Sequence, residues 1–265
     1  MGINKGIWNK TYHFWMLHAK ALALQVIDWK NRETGSMPVP LPMLRYRVHG
    51  SLRQEGYLEV GQNCANDIRA LLTSVGKDIR SCTAILDFGC GNGRVMRYFA
   101  DQPSSCRLYG TDVDKESIGW CRKNLHFAEW DVNGFMPPMK YADGQFDLVY
   151  AISVFTHLDE AMQLAWLEEL QRITKSGAIL ILTIYGEPVY HQLTDEQRAE
   201  LYRDGIYFDV KKTGMFKHDG LPDFYQATYH TRKYIDEKWS ACFEVIGYKE
   251  RGMNGHQDAV VLQKR

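Results

Sequence analysis

The sequence predicts an α/β protein on a doubly wound, seven-stranded, mostly parallel sheet with an antiparallel last strand, preceded by a helical N-terminal extension. Three observations predict it. From Thr83 onward, short apolar runs alternate with stretches of helical periodicity, the pattern of successive βαβ units. The last two apolar runs, 243–248 and 258–263, are joined by a loop too short for a helical crossover, so they pair antiparallel. Between the first apolar run and the helix after it lies a glycine-rich turn, 87–94, where open α/β sheets bind ligands.

Trp8, Tyr12, Trp15, Met16, Ala19, Ala23, Val26 and Ile27 recur at helical spacing, so a first helix is expected there, packing on the core or covering a ligand. Gly35 and the run Met37-Pro38-Val39-Pro40-Leu41-Pro42 break it, since prolines so spaced favour extended chain. A second helix is expected over 58–74, stopping near Gly76. Strands follow at 84–88, 107–111, 126–132 (the weakest), 146–152 and 178–184, with helices over 94–100, 115–124 and 159–174. The last helix carries Leu164, Leu167, Leu170 and Ile173 on one stripe and is expected to end at Gly177. Residues 186–232 break the alternation and are rich in aromatics, among them Tyr190, Tyr202, Tyr207, Phe216, Phe224, Tyr225 and Tyr229. The division is therefore 1–80, a helical extension or lid, and 81–265, the core. Within the core, 186–232 is expected to be an inserted substrate lid, because long insertions in compact domains are usually functional; a homodimer interface and ordinary packing are the alternatives.

Composition narrows the function classes. The 265 residues hold 32 Lys+Arg against 32 Asp+Glu, so no basic excess points to nucleic acid. Charges interrupt the N-terminal apolar residues, so neither a membrane span nor a signal peptide is expected. The six cysteines form no C-x-x-C pair, which argues for reduced thiols in a cytoplasmic protein. No metal-ligand pattern stands out, and none is expected.

The chemistry concentrates in Asp87-Phe88-Gly89-Cys90-Gly91-Asn92-Gly93-Arg94. Glycines permit the sharp turn and close approach of a ligand to the main chain. A dinucleotide fingerprint, G-x-G-x-x-G, needs glycine at 94, where Arg94 stands; the third glycine is Gly93. Asp87 closes the first strand, and a pyrophosphate on a helix N-terminus gains nothing from a neighbouring carboxylate. A ligand carrying a sulfonium and an ammonium suits it better.

Over roughly residues 80–265 the chain resembles the class I S-adenosylmethionine (SAM)-dependent methyltransferases, and it looks like bacterial members acting on small molecules or glycans. The resemblance rests on Asp87 with Gly89, Gly91 and Gly93, and on Asp112 at the end of strand two. The segment Phe146-Asp147-Leu148-Val149-Tyr150, matching strand four, adds to it. It implies a Rossmann-like methyltransferase fold, SAM as cofactor, and an acceptor oxygen or nitrogen on a small molecule or glycan. In the implied site Asp112 holds both ribose hydroxyls and Val113 lies on the adenine face. Asn133, or alternatively Asp131, meets the adenine amino group. Cys90, Ile152 and Ser153 border the cofactor, and Arg47 grips its carboxylate. His157, beside the transferable methyl, is the expected general base at a near-neutral pKa, with His191, His230 and His256 as rivals. The alternative functions are a SAM-binding regulator without catalysis, an NAD-dependent oxidoreductase, and aminopropyl transfer on the same fold.

Overall fold

The computed structural model describes residues 5–30, 35–210 and 226–265, with side chains from residue 15 onward. Three helices lead the chain: α1 (Lys5–Lys30), α2 (Pro42–His49) and α3 (Gln54–Ser74). The sheet follows with β1 (Ala84–Phe88), β2 (Arg107–Asp112), α4 (Lys115–Asn124), β3 (Glu129–Val132), β4 (Phe146–Ala151), α5 (Glu160–Ile173) and β5 (Thr174–Ile184). Next come α6 (Asp195–Asp204), β6 (Ile206–Asp209), β7 (Ala227–His230), α7 (Arg232–Lys238), β8 (Glu244–Met253) and β9 (Gln257–Gln263).

The seven-stranded sheet runs β3-β2-β1-β4-β5-β9-β8. β1 to β5 are parallel, and β9 inserts antiparallel between β5 and β8. β1 is buried along its whole length, as a strand covered on both faces must be. On one face Ile85, Leu148, Ile181 and Val261 pack with Ile68 and Leu72 of α3 and Ile118 and Cys121 of α4. On the other, Leu86, Val149, Leu180 and Val260 pack with Leu167 and Leu170 of α5 and Tyr234 of α7. The chain order reverses between β1 and β4, which opens a crevice at their carboxyl ends.

Four sequence expectations need correction. Pro42 starts a helix instead of prolonging an extended run, because proline suits the first helical turn. After the glycine loop the chain forms a short 3-10 helix, Met96–Phe99, in place of an α-helix. Gly177 does not end α5; the helix stops at Ile173, and Gly177, at φ 75°, lies inside β5. Residues 186–232 contain α6 and a separate antiparallel pair, β6 with β7, which the sequence did not suggest. Phe216, Phe224 and Tyr225 lie outside the described residues. No described helix is long and apolar enough to cross a membrane.

Candidate active site

The glycine loop leaves β1 and turns at once. The backbone N–H groups of Gly89 and Cys90 both donate to the Thr111 carbonyl, at 2.8 and 3.0 Å, pinning the loop to the end of β2. Gly89, Gly91 and Gly93 have φ of 79°, 53° and 75°, in the left-handed region that side chains disfavour. Space forbids a side chain as well. A Cβ at Gly89 would lie 2.3 Å from Val154 Cγ2, and one at Gly91 2.6 Å from Val48 Cγ1. Buried Asn92 holds the loop from behind: its Oδ1 accepts from the Tyr57 hydroxyl and its Nδ2 donates to the Leu44 carbonyl, both at 2.8 Å. The N-terminal helices thus brace the loop directly.

Three acids meet there, each with a different task. Asp112, at the end of β2, accepts from the Gly91 N–H at 2.7 Å through Oδ2 and from the Asp114 N–H at 2.8 Å through Oδ1. Burial raises its carboxyl above the usual range. Asp114 caps α4, accepting from the Glu116 and Ser117 N–H groups. Asp87 is buried, with one hydrogen bond at 3.1 Å from the Tyr150 hydroxyl. Burial pushes its carboxyl up to about 8, against the pull of that bond.

A cavity of about 620 Å³ opens over these groups, inside the roughly 300–1,000 Å³ range of small-ligand sites. Asp87, Gly89, Cys90, Gly91, Asp112 and Val113 line it, as do Arg47, Asn133, Ile152, Ser153 and His157. The structure therefore brings together every expected site residue except Gly93, which packs against Leu125 and Trp130 behind the loop. Between the two adenine-amino candidates, Asn133 lines the cavity, whereas Asp131 pairs with Arg122 and Lys140 outside it. The Arg47 guanidinium reaches two carboxylates, Asp114 at 3.1 Å and Glu116 at 2.6 Å. Arg94 also lines the cavity, and among the described residues no ion-pair or hydrogen-bond partner meets its guanidinium.

At the cavity's other end stand His157, Tyr185, His256 and Gln257. The Tyr185 ring lies edge-on between the two imidazoles, 6.3 Å from His157 and 6.0 Å from His256. His157 Nδ1 lies 2.8 Å from the Gln226 carbonyl, which fixes the proton on Nδ1. Burial lowers the His157 pKa to about 4, outweighing that bond, so the expected near-neutral value is corrected: the ring is neutral at pH 7. Of the rival bases, His256 lines the cavity, while His230 is fully buried against Gln163 and His191 sits beside the Pro188 carbonyl away from it. Ser153 holds φ 59° without being glycine, its hydroxyl accepting from Gln257 Nε2 at 2.7 Å. Such backbone persists where the surroundings over-determine it, commonly at a site.

Sequence reasoning missed Arg94, Asn92, Tyr150, Tyr185 and Gln257. Arg94 and Asn92 stood inside the recognised motif, so their position was a usable signal. The other three reach the site from β4, from just past the end of β5 and from the start of β9, and only the sheet order brings them together.

A family model described as a methyltransferase domain matches residues 86–182. The chain is 26% identical over 162 residues to the ribosomal protein L11 methyltransferase of Thiobacillus denitrificans, covering 60% of this chain and 50% of that one. It is 27% identical over 126 residues to the malonyl-[acyl-carrier protein] O-methyltransferase of Enterobacter lignolyticus, covering 45% and 46%. The chain thus spans about half the length of these curated relatives. Among solved structures, it resembles the 1,6-didemethyltoxoflavin-N1-methyltransferase of Burkholderia thailandensis, with 1,6-didemethyltoxoflavin and S-adenosylhomocysteine bound. The TM-score is 0.55 at 13% identity, covering 86% of this chain and 92% of that one; at that identity the likeness is one of fold.

Proposed function

We propose that this chain is a class I SAM-dependent methyltransferase and that its cavity transfers a methyl group to an oxygen or nitrogen of a small-molecule or glycan-type acceptor. One observation carries the reading: a glycine loop that tolerates no side chain, joined by hydrogen bond to Asp112, with buried Asp87 beneath it.

The donor set fits SAM part by part. The Asp112 carboxylate has lone pairs beyond those given to the two N–H groups, which suits two vicinal hydroxyls. Val113 offers an apolar surface to adenine, and Asn133 a polar edge. Asp87 gains a cation when an ammonium faces it, and Arg94 gains an anion when a carboxylate does. We assign that carboxylate to Arg94, since Arg47 is already engaged by Asp114 and Glu116. When bound, SAM supplies an already activated methyl group. The chain's own residues align the acceptor, exclude water and receive its proton. His157, its ring neutral with the proton on Nδ1, is the residue we assign to the last task.

Calorimetric titration with SAM, S-adenosylhomocysteine and NAD tests the reading. Binding of the first two and not of NAD is expected; NAD binding alone would overturn it, and SAM binding without transfer to any acceptor pool would leave a SAM-binding regulator. Arg94→Met is expected to weaken SAM binding about tenfold or more. The same change should leave methylthioadenosine, which has no carboxylate, within about twofold; an equal loss for both ligands would refute the assignment. His157→Gln is expected to lower turnover of a hydroxyl acceptor about 10²–10⁴-fold with SAM affinity unchanged. Because His157 titrates near 4, the wild-type rate should show no histidine inflection between pH 6 and 7, and kcat/KM profiles check this.

A further inference from the structure

α1 lies on the body through one side. Ala21 is buried, Leu17, Leu24 and Asp28 are half-buried, and Asp28 pairs with buried Arg45 of α2 at 2.6 Å. These positions follow one helical stripe. The opposite stripe is also apolar, and it faces outward: Trp15 is 67%, Leu22 66%, Val26 53% and Trp29 75% exposed, with Ala19 exposed between them.

The spacing of that stripe is specific. Trp15, Ala19, Leu22, Val26 and Trp29 step by four and three residues alternately, and in the sequence the same steps run back through Tyr12 to Trp8. A strict repeat of seven with two apolar positions is the narrow seam that receives another helix. A helix that merely covers its own core has its apolar stripe turned inward, and α1 already satisfies that need with its other side. Beside the stripe stand Met16, Ala23 and Lys30 on one flank and His18 and Gln25 on the other. These positions ordinarily carry the charges that select a different partner helix. Lys30 at the helix's end is the one fixed charge among these described flanking positions, so a second copy meets little like-charge repulsion along them. Small Ala19 between large Trp15 and Leu22 leaves room for a knob from the facing helix.

The area agrees with a dimer. With Met16 on its flank, also exposed, the stripe presents on the order of 650 Å² of apolar surface. That exceeds the patch of about 300–600 Å² found on a typical monomer and approaches the roughly 800 Å² per partner of a stable interface. We infer that the outward stripe of α1 is a homodimer interface, in which α1 packs against α1 of a second copy.

The inference does not depend on the proposed activity. It is tested on the full chain by light scattering after size exclusion and by sedimentation. Interfaces of this area bind at about micromolar strength or tighter, so a dimer is expected at about 100 µM. Leu22→Glu and the double variant Leu22→Glu/Val26→Glu should raise the dimer dissociation constant about 100-fold or more. Both positions are exposed, so circular dichroism and SAM affinity should remain those of the wild type, which separates loss of dimer from loss of fold. A wild-type chain that stays monomeric at this concentration overturns the inference. So do a charged variant that remains dimeric and a monomeric chain that binds phosphatidylserine vesicles through α1.

Discussion

Asp112→Ala is expected to weaken SAM and S-adenosylhomocysteine binding at least about 100-fold. The size follows from two roles held by one carboxylate. Its hydrogen bonds to a ligand's hydroxyls are charge-assisted, at about 1.5–3 kcal/mol each. It also accepts from the Gly91 and Asp114 N–H groups, so its removal frees the loop that forms the cavity wall. Asp114→Ala provides the contrast. That residue is the α4 cap and a partner of Arg47, so its loss should cost about 1 kcal/mol of stability while SAM affinity changes by less than about threefold. Calorimetry on both variants, with thermal melts, separates the roles. An Asp112→Ala protein that binds SAM within about threefold of wild type would remove Asp112 from the site and the ribose assignment with it.

The parts of this molecule legible in its sequence are those specified by neighbours in the chain. β1, β2, β4, β5 and β9 are buried strands, and such strands read as unbroken apolar runs. Asp87, the glycines and Asp112 sit at the ends of such strands, so locating the strands locates the acids. What was not legible depends on distant packing. β6 and β7 pair across a long stretch of sequence, and neither carries enough pattern alone. Tyr150 reaches Asp87, and Tyr185 reaches His157 and His256, only because the sheet sets β4 between β1 and β5 and β9 next to β5. α1 illustrates a different limit. Periodicity reports that a stripe is apolar, not what the stripe faces, and α1 has two such stripes. Pro42 was readable either way, since proline ends one helix and begins the next with equal ease.

Asp87→Asn is expected to stabilise the ligand-free protein and to abolish its use of SAM, and pH distinguishes the two effects. In the fold the Asp87 carboxyl is held near 8 by burial, whereas unfolded it titrates near 4. Below about pH 4 both states carry the proton and there is no penalty. As pH rises toward 8 the unfolded chain ionises first, so stability falls steadily across that window. Above 8 the fold must hold a buried carboxylate whose one hydrogen bond comes from Tyr150, at a cost on the order of several kcal/mol. Asparagine accepts the same bond without the charge. The variant's melting temperature should therefore exceed the wild type's by about 5 °C or more at pH 8, with a much smaller gap at pH 5. An ammonium placed against Asp87 reverses the balance by favouring the carboxylate. Wild-type SAM binding should then release a proton below pH 8 and tighten as pH rises toward it, by at most about tenfold per unit. Both signatures should vanish in Asp87→Asn. Calorimetry in buffers of different ionisation enthalpy reads the proton, and differential scanning reads the melt. If the two proteins melt alike at pH 8 and wild type binds SAM without proton release, Asp87 is not the counter-charge of the cofactor.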